Sequence, residues 1–566
     1  MTLAAANAAI WFAPDGYDPK TKGINGRRVA GESFLRGYFA HADVAEFVCL
    51  SFHSADETSF RDFAARSAVT RPIRGVRLDA AQAIAPLEVV YYAAPNFAQE
   101  CWRRAPQGGA AWAICGITHT TATKSVMQGI FDLRSAPQMP WDAVICTSRA
   151  VQSALRVQME LAEAHLANRF PGAVLPARPL LPVIPLGVHC DDFTADAKAG
   201  QGLRKRLGLA KGDIAAACIA RLTPQEKFDP LPLYLAMEAA AAKVAAVGGG
   251  KLHLVLCGQF PDAAARRVFD RGAAALMPSV GYHVLDGADA AERKATLSAA
   301  DLFVFPIDNV QETFGLAPVE AMAAGLPVIV SDWDGMKDTV TPEVGFRIPT
   351  EVPDAGLVTH LALRHLGGTD SYHQYLSQLS AMTRIDVAGL TAALVALATD
   401  SALRARMGQA ARARARALYD WRVVVPQMQA LWAEQAAMLA HARTAPPRRD
   451  AAPIDAGRLA VAPGPFHLFA GYPTNPPAAT PARRFRAAPL GARPGVVATF
   501  ALRDYAAIRR LFEDPARIAA MLVALDSAGP AGMTAEDLSR ASAQPLRIVQ
   551  RGLLWLLKYH FAEETR

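Results

Sequence analysis

The chain has 566 residues, of which 52% are hydrophobic and 20% charged, so it is long enough for two or three domains with their own cores. No run approaches the roughly 18 apolar residues of a membrane-spanning helix. Seven dispersed cysteines without a Cys-x-x-Cys pair argue against a disulfide framework and a zinc site, and they indicate buried, reduced thiols. The net charge of +7 is concentrated between residues 441 and 495, where eight Arg against two Asp give +6. This argues against a nucleic-acid-binding protein, which more often carries basic charge on a folded face.

The first part of the chain has the pattern of a doubly wound sheet, because residues 1 to about 190 alternate strand-like and helix-like segments. Residues 1–7 lack a basic start and run directly into a strand, so we expect no signal peptide and a cytoplasmic protein. Residues 22–35 then form a glycine-punctuated loop that turns into a helix, with Gly26 at the turn. Glycines let the backbone approach a ligand, and a helix start favours an anion. An ordinary strand-to-helix turn gives the same pattern.

Two further segments carry polar residues at the carboxyl ends of predicted strands, where ligands of open α/β sheets bind. Residues 111–118 form one such strand, with His119 at its end. A lone histidine in this position is more often a core or surface residue. Residues 215–219 form another strand, followed by Arg221 and Lys227. Without other evidence, these two cations are better explained as solvated loop residues.

The most informative stretch lies between two apolar, strand-like runs at 301–306 and 328–330. A helix is predicted between them, and Gly325 ends it. One carboxylate, Glu312, therefore lies just before the helix, and another, Glu320, lies on it.

The start of this helix is a candidate anion site, because its backbone N–H groups have no partner within the helix and the helix dipole favours phosphate. The residues concerned are Phe314, Gly315 and Leu316. An anionic ligand that carries hydroxyl groups suits the whole stretch, since its phosphate meets the N–H groups and its hydroxyls meet the two carboxylates.

Residues 312–325 resemble the Glu-x7-Glu motif of retaining glycosyltransferases of the GT-B fold, in particular glycosyltransferase family 4. Two glutamates at this spacing are common by chance, but Glu-x-Phe-Gly-x4-Glu-Ala-Met-Ala-x-Gly-x-Pro-Val-Ile between two strands is specific. The resemblance implies that Glu312 contacts the transferred sugar and that Glu320 holds the ribose of a nucleotide-sugar. The alternative from the residues alone is a buried turn with two solvated glutamates.

The resemblance also gives roles to residues outside the motif. It makes Arg221 and Lys227 the cations that neutralise the donor diphosphate, which gains charge as the glycosidic bond breaks. Together with the helix start, they would stabilise the departing diphosphate. The loop at Gly26 would lie beside the donor phosphates and the acceptor, and His119 would lie by the donor sugar.

This chain departs from the family pattern in several places. Ala220 and Phe228 stand where the family has glycines, and His189 stands where it commonly has Asp, so His189 is assigned no role. Residues 350–385 include an insertion with several Tyr, His and Gln, whose pattern indicates no function.

The resemblance covers residues 1 to about 440 and implies an α/β GT-B fold, in which two Rossmann-like doubly wound domains face a cleft. Residues 1–190 would form the acceptor-side domain, and residues 191–440 the nucleotide-sugar domain with a terminal helix that crosses back to the first. The implied reaction moves a sugar from a nucleoside-diphosphate sugar to an acceptor hydroxyl, with retention, in bacterial glycan or glycoconjugate synthesis. No metal or other cofactor is expected besides the donor as co-substrate. Glycan, lipid-linked and small-molecule acceptors, and the sugar and base of the donor, all stay open.

The end of the chain is organised differently. Residues 441–495 hold eleven of the 39 prolines and are predicted to be a Pro/Arg-rich linker. Its charge suits a solubilising tether or a transient contact with anionic lipid at the inner face of the membrane. Residues 496–566 are predicted to form a small all-helical, winged-helix-like module of three helices. Its net charge of only +1 favours a protein partner or dimer formation over nucleic acid.

Two rival classes of function fit the same fold. One is another GT-B reaction, that of a sugar phosphorylase or a nucleotide-sugar epimerase. The other is a catalytically idle GT-B body that serves as a regulatory or interaction scaffold through residues 496–566. Against the idle body, Glu312, Glu320, Arg221 and Lys227 are all present together.

Overall fold

The computed structural model describes residues 7–17, 26–446, 448–473, 483–490, 493, 495, 499 and 514–565. The chain divides into two compact units, Met1–Gly464 and Pro465–Arg566. The first unit contains two six-stranded parallel sheets, and the second contains helices with a small antiparallel sheet.

The first sheet is formed by the strands β1 Ala8–Trp11, β2 Phe47–Ser51, β3 Ile73–Arg77, β4 Val89–Tyr92, β5 Ala113–Ile117 and β6 Ala143–Ile145. They are parallel and follow the order β3-β2-β1-β4-β5-β6, with Ile10 paired to Cys49 on one side and Tyr91 on the other. The central strands are buried on both faces, which explains their continuous apolar runs in the sequence. The accompanying helices are α1 Pro14–Tyr17, α2 Gly26–His41, α3 Ser54–Arg66, α4 Ala81–Ile84, α5 Ala98–Arg104, α6 Lys124–Ser135 and α7 Arg149–Arg169.

The second sheet is formed by the strands β7 Ile214–Ile219, β8 Leu252–Gly258, β9 Gly281–Asp286, β10 Leu302–Phe305, β11 Val328–Ser331 and β12 Gly345–Ile348. Its order, β12-β11-β10-β7-β8-β9, repeats the topology of the first sheet. The helices are α8 Ala197–Arg206, α9 Pro230–Ala246, α10 Ala263–Leu276, α11 Ala290–Ala299, α12 Leu316–Ala324 and α13 Met336–Thr339. The predicted pair of Rossmann-like domains is therefore confirmed.

The insertion at residues 350–385 has its own small fold. Two short antiparallel strands close its base, and two helices lie between them. These elements are β13 Thr350–Glu351, α14 Thr359–Leu366, α15 Tyr372–Ala381 and β14 Arg384–Ile385.

Three helices complete the first unit: α16 Val387–Thr399, α17 Ser401–Leu418 and α18 Trp421–Thr444. As predicted, α18 crosses back to the first domain. At its start, Trp421 Nε1 donates to Ser33 Oγ at 2.8 Å, and further along Gln435 Nε2 donates to the carbonyls of Ile114 and Trp141 at 3.1 and 2.8 Å. A Cβ on Gly187 would lie 2.3 Å from the Trp421 ring, so this hinge position has no room for a side chain.

The expectation that the cysteines are buried, reduced thiols is met. All seven cysteines are buried and unpaired. Phe228, one of the departures from the family pattern, is fully buried with its ring centroid 5.9 Å from that of Phe269, so it serves the core of the second domain.

Within the residues that the structure covers, no single helix has the length and hydropathy of a membrane span, and α16 with α17 meets that test only as a pair bent by 102°.

The second unit contains α19 Pro465–Leu468, β15 Phe485–Ala487, α20 Pro515–Ser527, α21 Ala535–Ala541, α22 Leu546–Lys558 and β16 Ala562–Glu564. The three predicted helices are confirmed, and α21 begins with the predicted cap at Thr534. The module is not purely helical, however, since β15 and β16 pair antiparallel and Phe485 also bridges to Met533. The strand β15 comes from the segment before the three helices, and its partner β16 follows them. Local sequence patterns do not reveal such a pairing.

The segment predicted as a linker contributes to both units. Residues 441–444 end α18, and Ala451 O accepts a hydrogen bond from Gly109 N at 2.8 Å on the first domain. Residues 485–487 form β15. Residues 474–482 of this segment lie outside the described residues.

Candidate active site

A cleft of about 900 Å³ lies between the two Rossmann-like domains of the first unit. From the first domain and the hinge it is lined by Glu32, Ser33, Arg36 and His189. From the second domain it is lined by Arg221, Gln259, Arg293, Leu316 and Glu320. The lining of the second domain follows the carboxyl ends of β7 and β8, the edge at which α/β sheets bind ligands.

The helix that carries Glu320 has the predicted limits. Gly315 precedes α12 with φ of 85°, and Gly325 follows it with φ of 89°, both in the left-handed region that favours glycine. Leu316, at the first position of the helix, lines the cleft. Phe314 instead points into the core, where its ring centroid lies 5.9 Å from that of Tyr419.

Glu320 lines the cleft, and no cation among the residues that the structure describes forms an ion pair with it. Burial raises the pKa of this carboxyl to about 7, and the charge of Arg293 opposes the rise only in part. Near neutral pH the group is therefore divided between its charged and neutral forms.

Glu312 is held in the opposite state. Its Oε1 accepts hydrogen bonds from the backbone N–H groups of Gly315 at 3.1 Å and Thr313 at 3.3 Å, and its Oε2 lies 2.5 Å from Lys227 Nζ. Burial acts to raise the pKa of Glu312, but Lys227 and these donors outweigh it and the pKa is lowered. The carboxylate and the predicted diphosphate cation thus form one ion pair at the start of α12.

Arg221 lies at the edge of the cleft with both ends of its guanidinium engaged. Nη1 forms an ion pair with Glu226, and Nη2 donates to Gln311 Oε1 at 2.8 Å. The guanidinium group is planar and rigid, so two contacts at its two ends fix its orientation. The orientation of Arg221 therefore depends on Glu226 and Gln311.

His119 lies directly after β5 and meets the second domain through its backbone. The His119 carbonyl accepts from Thr313 Oγ1 at 3.2 Å, and Thr147 Oγ1 of the first domain donates to the Thr313 carbonyl at 3.3 Å. The carboxyl end of the first sheet is therefore attached to the residue that follows Glu312.

The structure brings most of the predicted residues together, in two groups. Arg221, Leu316 and Glu320 line the cleft itself. Glu312 and Lys227 form an ion pair at the start of α12, and Glu312 also accepts a hydrogen bond from Gly315 N. These two residues and His119 are not part of the cleft lining as the described residues define it.

Gly26 is the first residue of α2, and α2 supplies Glu32, Ser33 and Arg36 to the cleft wall. Residues 22–25 of the predicted glycine loop lie outside the described residues. The prediction that this loop borders the donor phosphates therefore stays a prediction.

His189 lines the cleft, although no role could be assigned to it from the sequence. Its Nε2 lies 3.1 Å from the Ser33 carbonyl. Burial lowers its pKa to about 4, and the charge of Arg36 acts in the same direction, so the imidazole is neutral. The signal that could have drawn attention to His189 is its replacement of the family's Asp at a hinge.

Asp334 is a second residue that sequence reasoning missed. It follows β11 with φ of 46°, and its Oδ1 accepts from Ser148 Oγ of the first domain at 3.3 Å. Burial raises its pKa to about 8, and the charges of Glu312 and Asp338 act in the same direction. A strained, largely neutral carboxyl so close to Glu312 marks this loop as part of the site's surroundings.

Comparison with known proteins identifies similarity in the second domain. Residues 202–360 match the family model described as "Glycosyl transferases group 1". A GDP-mannose-dependent monoacylated alpha-(1-6)-phosphatidylinositol monomannoside mannosyltransferase from Corynebacterium glutamicum is 26% identical over 254 residues, which are 44% of this chain and 55% of that protein. A GDP-mannose-dependent alpha-(1-6)-phosphatidylinositol monomannoside mannosyltransferase from Mycobacterium tuberculosis is 30% identical over 182 residues, or 31% of this chain and 44% of that protein. The chain thus spans about half the length of these curated relatives.

Solved structures with a similar course of the chain include a sucrose-phosphate synthase from Thermosynechococcus elongatus, at 18% identity and a TM-score of 0.44, covering 77% of this chain and 97% of that one. They also include an Anabaena protein in complex with UDP-glucose, at 15% identity and a TM-score of 0.46, covering 75% of this chain and 98% of that one. Both scores are below 0.5, so the fold assignment rests on the two sheets described above.

Proposed function

We propose that this protein is a glycosyltransferase that moves a sugar from a nucleoside-diphosphate sugar to an acceptor hydroxyl. The observation that carries the proposal is the arrangement of Glu320, Arg221 and the start of α12 on one cleft between two Rossmann-like domains. The match of residues 202–360 to a family model of glycosyl transferases supports it, since this range contains all three features.

In the proposed donor complex, Glu320 binds the ribose hydroxyls, and Arg221, Lys227 and the start of α12 bind the diphosphate. Glu312 already accepts from Gly315 N and pairs with Lys227, so a bound donor must share these two groups with Glu312. This arrangement places a carboxylate next to the diphosphate site, where it can accept hydrogen bonds from the hydroxyls of the transferred sugar. His119, attached to Thr313 from the other domain, is proposed to hold the same sugar.

The proposed reaction follows the retaining course of glycosyltransferase family 4. The bond between the anomeric carbon and the diphosphate oxygen breaks, and a bond forms from that carbon to the acceptor oxygen on the same face. The proton of the acceptor hydroxyl passes to a phosphate oxygen of the departing nucleoside diphosphate. Two cations and a helix start stabilise the charge that develops on this leaving group, so we propose that no metal ion is needed.

The first donor to test is GDP-mannose, because the relatives from Corynebacterium and Mycobacterium are named for it. Their names also make a phosphatidylinositol mannoside the first acceptor to test, alongside glycan and small-molecule acceptors. A lipid-linked acceptor would require contact with the inner face of a membrane. The net charge of +6 at residues 441–495 suits attraction to anionic lipid there, at about 1 kcal/mol for each charge close to the surface.

The decisive experiment measures thermal stabilisation by GDP, UDP, ADP and their sugars, without metal, in the wild type and in Glu320→Ala. A ligand at about 100 times its Kd should add about 2.7 kcal/mol to the free energy of unfolding. We expect one base to stabilise the wild type and to lose most of its effect in Glu320→Ala. Glu434→Ala, which changes an exposed glutamate on α18, is the matched control and should respond like the wild type.

The products then distinguish the proposed reaction from its rivals. Transfer to an added acceptor supports the glycosyltransferase, whereas an altered sugar nucleotide formed without acceptor indicates an epimerase, and dependence on inorganic phosphate indicates a phosphorylase. Absence of stabilisation by every nucleotide in the panel would contradict the proposal and favour a scaffold protein.

A further inference from the structure

The insertion formed by β13, α14, α15 and β14 reaches the candidate active site. The first two residues of α15, Tyr372 and His373, point toward the loop that carries Gln311 and the segment that carries Glu226. Both of these neighbours are the residues that hold Arg221.

Each end of the Arg221 guanidinium is connected to the insertion through one intermediate residue. On one side, Nη1 pairs with Glu226, whose other carboxylate oxygen lies 2.5 Å from His373 Nδ1. On the other side, Nη2 donates to Gln311, whose Nε2 donates to Tyr372 Oη at 3.2 Å. The two connections start from the neighbouring residues Tyr372 and His373, so the position of α15 determines the position of both ends of the guanidinium.

We propose that the insertion is a positioning element of the active site, in which His373 and Tyr372 orient Arg221 toward the donor diphosphate through Glu226 and Gln311. This inference rests on the proposed function, because Arg221 has a diphosphate to bind only in a nucleotide-sugar enzyme. Neither His373 nor Tyr372 touches the reacting atoms in this role. They act through Arg221.

The insertion is rigid enough at this point to determine an orientation. Ser371 caps α15, with its Oγ accepting from Gln374 N at 3.2 Å and the Gln374 side chain accepting from Ser371 N at 2.9 Å. The preceding residue, Asp370, is buried and pairs with Arg364 of α14 at 2.5 Å, which ties the two helices of the insertion together. A capped helix that begins at Tyr372 therefore presents its first two side chains from a fixed place.

The insertion also contacts the first domain, on the opposite side of the cleft. Tyr372 has a hydrogen bond to Thr120, which follows His119. Burial raises the pKa of the Tyr372 phenol, although the hydrogen bonds to Gln311 and Thr120 act to lower it. Lys124 Nζ, at the start of α6, donates to the Leu366 carbonyl at the end of α14 at 2.9 Å. Tyr372 therefore joins residues of both domains, so the orientation of Arg221 is linked to the position of the first domain relative to the second.

The test is a double-mutant cycle on nucleotide affinity, measured by calorimetry in the full-length protein. The probes are GDP and GMP, or the corresponding pair for whichever base the panel above identifies. The variants are His373→Ala, Tyr372→Phe and Arg221→Ala, with each of the first two also combined with Arg221→Ala. His360→Ala, an exposed histidine on α14, is the matched control within the insertion.

We expect His373→Ala and Tyr372→Phe each to weaken GDP binding by about 5-fold and GMP binding by less, because the loss falls on the second phosphate. In the Arg221→Ala background both substitutions should change the GDP affinity by less than about 2-fold, since the residue through which they act is gone. His373→Gln, which keeps a donor for Glu226, should restore part of the affinity, and His360→Ala should bind like the wild type.

Three results would overturn the inference while leaving the proposed function intact. They are unchanged GDP affinity in both single variants, equal losses with and without Arg221, and equal losses for GDP and GMP accompanied by a lower Tm. The last would mean that the insertion only stabilises the fold. If the wild type binds none of the nucleoside diphosphates, the proposed function fails and this inference fails with it.

Discussion

Glu320 is the residue whose protonation state should affect the binding of the ribose in the proposed donor complex. Its pKa is raised to about 7 by burial, so the carboxylate is fully formed only above neutral pH. An ionised carboxylate offers both oxygens as acceptors to the ribose hydroxyls, whereas the acid form loses part of that capacity. We therefore expect nucleoside-diphosphate affinity to rise between about pH 6 and pH 8 in the wild type, and to rise less in Glu320→Gln. Calorimetry at constant ionic strength measures the affinity at each pH. The terminal phosphate of the ligand also titrates in this range, but its effect is the same for both proteins, so the difference between them reports on Glu320.

The same variant provides a control through protein stability. A carboxyl whose pKa is raised on folding binds its proton more tightly in the folded state, so its contribution is complete below the unfolded pKa, about 4.5, and is lost as the pH rises to about 7. Asp308 and Asp334, with pKa values raised to about 7 and about 8, change stability in the same direction. Chemical denaturation of Glu320→Gln should therefore show a smaller loss between about pH 5 and pH 7 than the wild type, and parallel curves would contradict the shift.

The sequence identifies the residues of the site that share one local pattern, and it misses those that arrive from a distance. Glu312 and Glu320 are assigned to the site because the segment around them resembles a motif of glycosyltransferase family 4. Arg221 and Lys227 are assigned to it because their segment, which follows a predicted strand, resembles the same family. His189 and Tyr372 were not found, because their place in the site depends on the packing of a hinge and of an insertion. The sequence pattern close to His189 or Tyr372 does not indicate which distant residues pack against them.

The element that organises the site is α12, and its start depends on the backbone of Gly315. With φ of 85°, this position is strained for any residue with a Cβ, and the added carbon would lie 3.1 Å from Met336 Cγ. We expect Gly315→Ala to lower the free energy of unfolding by about 1–3 kcal/mol. It should also weaken nucleoside-diphosphate binding, since the N–H group of this residue donates to Glu312 and belongs to the proposed diphosphate site. Denaturant unfolding and the thermal-shift panel measure the two effects.

Gly202 on α8 is the matched control for this substitution. It lies inside a helix with negative φ, and a Cβ there would meet nothing within 4 Å. Gly202→Ala should therefore leave binding unchanged and increase stability by up to about 1 kcal/mol. Equal effects of the two substitutions would mean that the conformation of Gly315 has no special part in the site.

At the level of elements, the sequence predicted those with a strong pattern and a marked end. The strands β10 and β11 and the helix between them are predicted because two apolar runs mark the strands and Gly325 marks the end of the helix. The short strand β15 was not predicted, because three residues carry too little pattern and their partner β16 lies more than seventy residues further along the chain. The insertion had recognisable helix formers but no signal that α15 would turn its first two residues toward Arg221.

For the molecule as a whole, the two connections between the Rossmann-like domains run side by side. The Val188 N–H donates to the Tyr419 carbonyl at 2.7 Å, and the Trp421 N–H donates to the Val188 carbonyl at 3.1 Å. Any movement of one domain relative to the other must therefore bend both connections together at this pair. Since His189 and Gly187 belong to the same hinge and line the cleft, opening of the domains would change the wall of the cleft that these residues form.

The first unit ends at Gly464, beyond the boundary that the sequence suggests. The proline-rich composition places that boundary near residue 440, but α18 continues to Thr444 and the chain after it packs on the first domain. Arg443 donates to the carbonyls of Ala110 and Ala111 at 3.0 and 2.7 Å. Ala451 O accepts from Gly109 N at 2.8 Å, and Ile454 N donates to Ala105 O at 3.0 Å.

A chain that ends at residue 464 keeps these contacts, whereas one that ends at residue 440 loses them. At about 0.5–1.5 kcal/mol for each of these four hydrogen bonds, the shorter chain should be less stable by about 2–6 kcal/mol, with a clearly lower Tm. The longer one should bind the nucleoside diphosphate with the affinity of the full chain, because every residue of the candidate site precedes residue 464. If both truncated chains melt at the same temperature, residues 441–464 are only a tether. If the chain ending at residue 464 does not bind the nucleotide that the full chain binds, residues 465–566 are needed for the donor site as well.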